Sequence, residues 1–155
     1  ATSLNRELVV YLSMGFGNPY GDPWSPALVS TWVSRLVDMG VRRISLSDTV
    51  GLAQPKTITD LFNHLLQAYP DIVFGAHLHA KPNEAISKIK AAYAGGCRAF
   101  DSSMRGLGGC PMAKDELTGN VPTEKLLSFL TAQKAQNRVN MLHFESAYNT
   151  SFQVC

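Results

Sequence analysis

A glycine-rich loop around a cysteine is the part of this chain whose residue types most directly suggest chemistry. Cys110 follows the run Gly106-Leu107-Gly108-Gly109, and Gly119-Asn120 lies further along the chain. Glycines make such a loop flexible enough to close a thiol over a bound ligand. A thiol can act as an acid, a base or a nucleophile, depending on its pKa. We therefore predict a functional Cys110, in preference to a small buried side chain.

A second group of chemical interest is the pair His77 and His79, separated by one leucine. In a strand, residues i and i+2 share a face, so both imidazoles can point at one metal ion. The alternative is a pair of polar residues at a strand end, one of them bonded to backbone. Asn120 offers a neutral oxygen, although the residues alone favour a turn or a helix cap for it.

Asp48 ends a strand-like segment and is a further candidate. It could bind substrate hydroxyls or orient a ligand, and it could equally cap the turn that follows. Cys97 is predicted to lie in the core. His64 and His143 fall within helical patterns and are predicted to be structural or exposed.

Alternating strand-like and helix-like segments must position these groups. The predicted strands are residues 7–14, 43–48, 71–79 and 98–102, and the predicted helices are residues 26–39, 56–69, 83–94 and 123–135, with a final short helix at 140–148. Ser25-Pro26 reads as an N-cap followed by proline at the first helical position. Four βα units with short connections predict an α/β fold with a parallel sheet.

Two architectures fit this pattern, an open doubly wound sheet and half of a (βα)₈ barrel. Both place functional sites at the carboxyl ends of the strands, where Ser13, Asp48, His79 and Asp101 stand. The first strand is not followed by a GxGxxG motif, which disfavours a dinucleotide-binding fold. A whole barrel needs about 250 residues, so four units would be half of one.

Length and composition narrow the class of protein. The 155 residues predict one domain, 1–155, and the formal net charge is only +2, without a basic stripe that would favour nucleic acid. The apolar runs are too short to span a membrane. Three cysteines without framework spacing favour a reducing compartment, the cytoplasm or, in a eukaryote, the mitochondrial matrix.

Five segments of the chain together resemble the hydroxymethylglutaryl-CoA lyase family, within the metallolyase branch of TIM barrels. They read YLSMGFGNPYGDP, ISLSDTVGLAQP, GAHLHAK, FDSSMRGLGGCP and GLGGCPMAKDELTGNVPTEKLL, and they fall in the family's order over about residues 9–131. The cysteine loop is the specific part, because related condensing enzymes share the HxH pair and the Gly-Asn turn but not GLGGCP.

The resemblance implies the C-terminal half of a TIM (βα)₈ barrel, strands five to eight. It implies cleavage of (S)-3-hydroxy-3-methylglutaryl-CoA to acetyl-CoA and acetoacetate, with an acyl-CoA substrate and a divalent cation, Mg²⁺ or Mn²⁺. The implied residues are the metal ligands His77, His79 and Asn120, the loop thiol Cys110, the substrate-facing Tyr11, Ser45 and Asp48, and Glu124 beside the metal site. Either His77 or a bound water would serve as the base.

The chain departs from the family's pattern in three places. Ala80 stands where the family usually has aspartate, and Asn18 where it often has cysteine. The family's first four βα units, which carry an aspartate ligand and an arginine, are absent. We therefore expect this half barrel to be inactive alone and to pair with a second copy or with a complementary N-terminal half. The rival expectations are a related acyl-CoA lyase or aldolase for another 3-hydroxy acid, and a non-catalytic barrel remnant.

Overall fold

The chain folds as alternating strands and helices, which confirms the predicted α/β class. A computed structural model describes residues 6–109 and 118–154. The strands are β1 (Val9–Leu12), β2 (Arg43–Asp48), β3 (Val73–Ala80), β4 (Ala99–Phe100) and β5 (Gly119–Asn120). The helices are α1 (Pro26–Asp38), α2 (Pro55–Ala68), α3 (Ala85–Ala94), α4 (Thr123–Ala132) and α5 (Met141–Val154).

The first four strands form a parallel sheet in the order β1-β2-β3-β4. The register aligns Tyr11 with Ser45, Ser45 with Gly75, and Gly75 with Ala99. β5 is antiparallel to β3 and places Asn120 opposite His79. Because parallel strands end at the same edge, the polar residues at their carboxyl ends come together there.

The helix starts follow the sequence signals. The Ser25 hydroxyl accepts a hydrogen bond from the Leu28 amide at 3.1 Å, and proline occupies the first helical position of α1. α1 ends before Gly40, whose φ of +87° suits glycine better than any residue with a Cβ. The predicted N-cap and stop are therefore confirmed.

Side-chain alternation divides the sheet into two faces. Ile44, Leu46 and Leu78 lie on the face that packs against the helices, in one buried cluster with helical residues such as Ile58 and Ile89. The opposite face, which we call the inner face, carries the residues between them. A sheet covered by helices on one face is the arrangement of a barrel segment rather than of a doubly wound sheet.

Helices α2 and α3 approach closely at one glycine. A Cβ built on Gly95 would lie 2.8 Å from the Thr59 carbonyl oxygen and 2.9 Å from the Phe62 Cβ. Phe62 is completely buried. Glycine at this position therefore sets the spacing between the two helices.

The sheet edge at β1 has no neighbouring strand within the described residues. Val9 and Tyr11 are 42% and 50% exposed, and Leu28 and Trp32 of α1 are similarly open. A cavity of about 420 Å³ lies beside this edge, between the β1–α1 loop and α1, and is lined in part by Trp24 and Trp32. This apolar, unpaired edge is where further βα units would pack in a complete barrel.

The element bounds differ from prediction in a few places. β1 and β4 are shorter than predicted, α5 is longer, and β5 was not predicted as a strand. A two-residue strand has no periodicity to detect, and its pairing with β3 is a tertiary contact. Among the described residues, no helix has both the length and the apolar character to cross a membrane.

Candidate functional site

The inner face brings four polar residues from four strands or strand ends together. Tyr11 and His77 meet edge to face with ring centroids 5.5 Å apart, although β2 lies between their strands. This approach is possible because Ser45 and Gly75 are small, and a Cβ on Gly75 would lie 3.2 Å from the Ser45 hydroxyl oxygen. Asp101, just after β4, completes the group.

Asp101 is the centre of this group. Its Oδ2 lies 3.2 Å from His77 Nδ1 and 3.5 Å from the Ser45 hydroxyl, and it also accepts a hydrogen bond from the Tyr11 hydroxyl. The bond from His77 is the main reason that the pKa of Asp101 is lowered. The bond to Asp101 conversely raises the pKa of Tyr11, because a phenolate could not donate to the carboxylate.

His79 is held differently, by backbone. Its Nδ1 lies 3.0 Å from the Asp48 carbonyl oxygen. A carbonyl only accepts, so Nδ1 must carry the proton, which leaves the lone pair of the neutral ring on Nε2. Burial lowers the pKa of His79, which favours this neutral form.

In both histidines, Nδ1 is held by a hydrogen bond, to Asp101 in His77 and to the Asp48 carbonyl in His79, and Nε2 is the nitrogen that can face a ligand. Their ring centroids are 5.1 Å apart and the rings are nearly perpendicular. An imidazole tied at Nδ1 to a carbonyl or carboxylate is the usual arrangement of a metal-binding histidine. Within the described residues, no three His, Cys, Asp or Glu side chains form a metal-sized cluster, so the described part of the site offers two imidazoles and an amide.

Asn120, opposite His79, is fixed by the glycine-rich loop. Its Nδ2 donates to the Leu107 and Gly108 carbonyls, both at 2.9 Å. A Cβ on Gly106 would come within 2.8 Å of the Asn120 carbonyl oxygen, so the loop can fold this closely only with glycine there. With the amide nitrogen engaged, the amide oxygen is the atom that could serve as a ligand.

Glu124 supports the start of the same loop. Its Oε2 accepts a hydrogen bond from the Arg105 amide at 3.1 Å. Arg105 has a φ of +59°, a conformation that few residues other than glycine adopt. Its guanidinium lies over the Phe152 ring and donates to the Ser151 carbonyl, which connects α5 to the loop.

Asp48 lies behind the histidines, on the helix-facing side of β2. The residue is 2% exposed; Oδ1 accepts from the Ala53 amide at 3.0 Å and Oδ2 from Lys88 of α3 at 2.7 Å. Its side chain thus points away from the inner face. Ser45, by contrast, is buried on the inner face, and Tyr11 is half exposed there.

Cys97 is the cysteine that falls within the described residues. Cys110, the predicted loop thiol, lies outside the described residues. Cys97 is completely buried, as predicted, and burial raises the pKa of its thiol to about 12. His64 is on an exposed part of α2, where Nε2 lies 3.0 Å from the Ser30 hydroxyl.

Sequence reasoning did not assign roles to Asp101 and Lys88. Asp101 was noted only as a strand-end residue. A role for Lys88 could have been predicted from the alternation of side chains along β2, which puts Asp48 on the same side as Ile44 and Leu46. A carboxylate between the sheet and the helices calls for a buried cation, and Lys88 is the lysine on the buried stripe of α3.

The chain resembles known proteins over nearly its whole length. A family profile described as HMGL-like matches residues 6–150. Mitochondrial hydroxymethylglutaryl-CoA lyase of Rattus norvegicus is 36% identical over 131 residues, which cover 84% of this chain and 40% of the relative. The chain thus spans less than half the length of that relative.

Solved structures give the same result for the fold. An HMG-CoA lyase from Bacillus subtilis superposes with a TM-score of 0.88 at 29% identity, covering 99% of this chain and 51% of that one. An HMG-CoA lyase from Acinetobacter baumannii, solved with coenzyme A and 3-methylmalate, has a TM-score of 0.72 at 28% identity, covering 85% and 42%. The predicted fold, part of a TIM barrel, is confirmed.

Proposed function

Because the chain belongs to the HMGL-like family, we propose that the complete protein is a divalent-metal-dependent carbon–carbon lyase. Its substrate is (S)-3-hydroxy-3-methylglutaryl-CoA, and its products are acetyl-CoA and acetoacetate. The observation that carries the proposal is the histidine pair. Both rings are tied at Nδ1, to Asp101 and to the Asp48 carbonyl, so that both Nε2 atoms can face one ligand.

The residues that would hold the metal are His77, His79 and Asn120. Imidazole is a ligand that transition ions prefer, whereas Mn²⁺ and Mg²⁺ prefer oxygen. The proposed Mn²⁺ or Mg²⁺ site would therefore need further oxygen ligands, from carboxylate or water, beside the two imidazoles and the Asn120 amide oxygen. A bound ion of this kind would polarise the 3-hydroxyl of the substrate and lower its pKa. The remaining ligands would be water or groups outside the described residues.

The reaction needs a base for the 3-hydroxyl and an acid for the departing carbon. Loss of the hydroxyl proton lets the bond between the hydroxyl carbon and the thioester α-carbon break. The first carbon becomes the ketone of acetoacetate, and the second takes up a proton to give acetyl-CoA. We propose Cys110 for proton transfer to the α-carbon, within a loop whose closure excludes water.

His77 has two proposed roles that use the same atom, Nε2. As a ligand, Nε2 binds the metal; as a base, it takes the hydroxyl proton while Asp101 stabilises the resulting imidazolium. The variant His77→Ala removes Nε2 and supplies neither a ligand atom nor a base in its place. Retained Mn²⁺ binding with lost turnover would therefore assign His77 as the base, and loss of both would assign it as a ligand.

Tyr11 and Ser45 remain the proposed substrate-side residues, whereas Asp48, whose side chain pairs with Lys88, is now proposed to act indirectly. Tyr11 and Ser45 belong to the inner-face network around Asp101, where a carboxylate or hydroxyl of the substrate could be bound. Asp48 contributes from behind, through the backbone carbonyl that orients His79. The substrate-bound state would then involve direct contact with Tyr11 and indirect support from Asp48.

The β1 edge of the sheet is open within the described residues. Tyr11 is half exposed there and Trp32 of α1 is 46% exposed. We propose that a complementary N-terminal half of the barrel covers this edge, with a second copy of the chain as the alternative. Native mass spectrometry of the isolated chain distinguishes a monomer, a homodimer and a complex with another polypeptide.

The relatives include a mitochondrial enzyme, and we propose the mitochondrial matrix or the cytoplasm as the location.

The direct test is an assay of the complete protein with (S)-3-hydroxy-3-methylglutaryl-CoA. We expect acetyl-CoA and acetoacetate in equal amounts, loss of turnover with EDTA, and recovery with Mg²⁺ or Mn²⁺. His79→Asn should reduce turnover by more than about 100-fold, since loss of a ligand exceeds the usual effect of a supporting residue. His64→Asn, on the exposed part of α2, is the matched control and should retain activity.

Other outcomes would favour the rivals. Cleavage of a different 3-hydroxyacyl-CoA, but not of this one, would indicate a related lyase of the family. Absence of both turnover and Mn²⁺ binding in the complete protein would indicate a non-catalytic barrel remnant.

A further inference from the structure

Lys88 is a buried cation beneath the candidate metal site. It lies on α3, and its side chain is 3% exposed. Its ammonium group donates to the Asp48 carboxylate at 2.7 Å, the Gly51 carbonyl at 2.9 Å and the His79 carbonyl at 2.9 Å. A lysine has three N–H donors, so each of them has an acceptor.

These bonds join the ends of two strands to a helix. Asp48 is the last residue of β2, Gly51 follows it in the next turn, and His79 lies near the end of β3. A buried ion pair loses much of its attraction to the cost of removing both charges from water, so it is weak evidence for stability. Lys88 instead fixes the relative positions of its three acceptors, which are the Asp48 carboxylate and the carbonyls of Gly51 and His79.

The contacts also close a ring through His79. Lys88 donates to the carbonyl of His79, His79 donates through Nδ1 to the carbonyl of Asp48, and the carboxylate of Asp48 accepts from Lys88. The backbone and the imidazole of His79 are thereby held by the same unit. Ala80, where the family usually has aspartate, can make no side-chain hydrogen bond, and the buried ion pair next to this strand end is the one between Asp48 and Lys88.

We propose that Lys88 is a positioning residue: through Asp48 and the His79 carbonyl it holds the His79 ring as the Nδ1–H tautomer, with Nε2 open to a divalent cation. The statement that a divalent cation binds Nε2 rests on the proposed function, whereas the assignment of the His79 tautomer does not. Lys88 itself touches neither the metal nor the substrate in this assignment.

The test compares three variants of the complete protein. Lys88→Met removes the cation at similar length, and the double variant D48N/K88M removes both charges, in case the unpaired Asp48 prevents folding. Ile89→Ala is the matched control, because Ile89 is completely buried on the same helix and its truncation lowers stability without removing a hydrogen bond of Lys88, Asp48 or His79.

Two measurements are made on each variant. The first is the long-range proton–nitrogen NMR spectrum of the metal-free imidazoles, assigned with His79→Asn. The second is the Mn²⁺ dissociation constant from the electron paramagnetic resonance signal of free Mn²⁺. We expect the Nδ1–H tautomer for His79 in the wild type and in Ile89→Ala. In both Lys88 variants we expect a tautomer mixture and Mn²⁺ binding about 10-fold weaker, the lower end of the range for groups that orient a ligand.

The two readouts separate this inference from the proposed function. Wild-type His79 signals and wild-type Mn²⁺ affinity in D48N/K88M would overturn the role of Lys88. A tautomer that depends on Lys88, in a protein that binds no Mn²⁺, would support the positioning role and overturn the metal-dependent function.

Discussion

Replacement of Asp101 would test whether the inner-face network prepares His77 for its role. Asp101 accepts hydrogen bonds from His77, Ser45 and Tyr11. Asp101→Ala removes the acceptor altogether. Asp101→Asn keeps an oxygen that can accept from His77 Nδ1 but removes the negative charge. The pair of variants therefore separates loss of orientation from loss of charge.

The expected magnitude follows from exposure and distance. A hydrogen bond to a charged group contributes about 1.5–3 kcal/mol where it is well buried. Here the side chains of Asp101 and His77 are 41% and 31% exposed and the bond is 3.2 Å long, so solvent screening reduces the contribution. About 1.4 kcal/mol, or tenfold in a binding constant, is the effect that we expect for Asp101→Ala. Asp101→Asn should cost about threefold.

The assay is the Mn²⁺ dissociation constant of the complete protein, together with an ultraviolet difference titration of tyrosine against Tyr11→Phe. Asp101 raises the pKa of Tyr11 above 10.0, both as hydrogen-bond acceptor and by its charge. In Asp101→Asn the pKa of Tyr11 should therefore fall back toward 10.0. This second readout shows that the network itself has been changed, whatever happens to metal affinity.

One combination of results would refute the reasoning. If the pKa of Tyr11 falls in both variants while Mn²⁺ affinity and turnover stay at the wild-type level, Asp101 belongs to the network but does not orient His77. Ser128→Ala, an exposed position on α4, serves as the control for handling and concentration.

Two further predictions concern stability. Gly95→Ala should lower the free energy of unfolding by about 1–3 kcal/mol, because the new Cβ would meet the Thr59 carbonyl oxygen at 2.8 Å. Urea denaturation measures this change, and an unchanged midpoint would contradict the close packing of α2 and α3. Cys97, with a folded pKa of about 12 against 9.0 for an ordinary thiol, contributes stability that is fully present below pH 9.0 and is lost as the pH rises toward 12. Cys97→Ala should remove this one-proton slope, up to about 1.4 kcal/mol per pH unit, and parallel alkaline curves for the two proteins would show that the thiol is not protected.

The sequence patterns predicted the βα units well, because apolar periodicity and capping residues act locally. Residues 43–48 were predicted as a strand with the bounds that the structure has. The histidine pair was assigned to one face by the two-residue period of a strand, and its rings do lie together. Local rules were sufficient for these features.

The parts that escaped prediction depend on contacts between distant segments. The family resemblance implied that His79 and Asn120 lie close together, but the β3–β5 strand pairing that brings them together was not predicted, because a two-residue strand has no periodicity. The face of the sheet on which Asp48 lies could have been predicted, because alternation along β2 determines it. Its partner Lys88 follows only once α3 is packed on the sheet. The metal-ligand and substrate roles remain predictions.

The cavity beside β1 has a practical consequence for spectroscopy. Trp24 and Trp32 are the two tryptophans of the chain, and both line this cavity. Trp24 is fixed by a 3.0 Å hydrogen bond to the Gly15 carbonyl, whereas Trp32 is 46% exposed. Intrinsic tryptophan fluorescence therefore reports on the open edge and has no source on α3, α4 or α5. If another polypeptide covered β1 and α1, the emission of Trp32 would shift to shorter wavelength, so Trp32 is an intrinsic optical probe of whether this edge is covered.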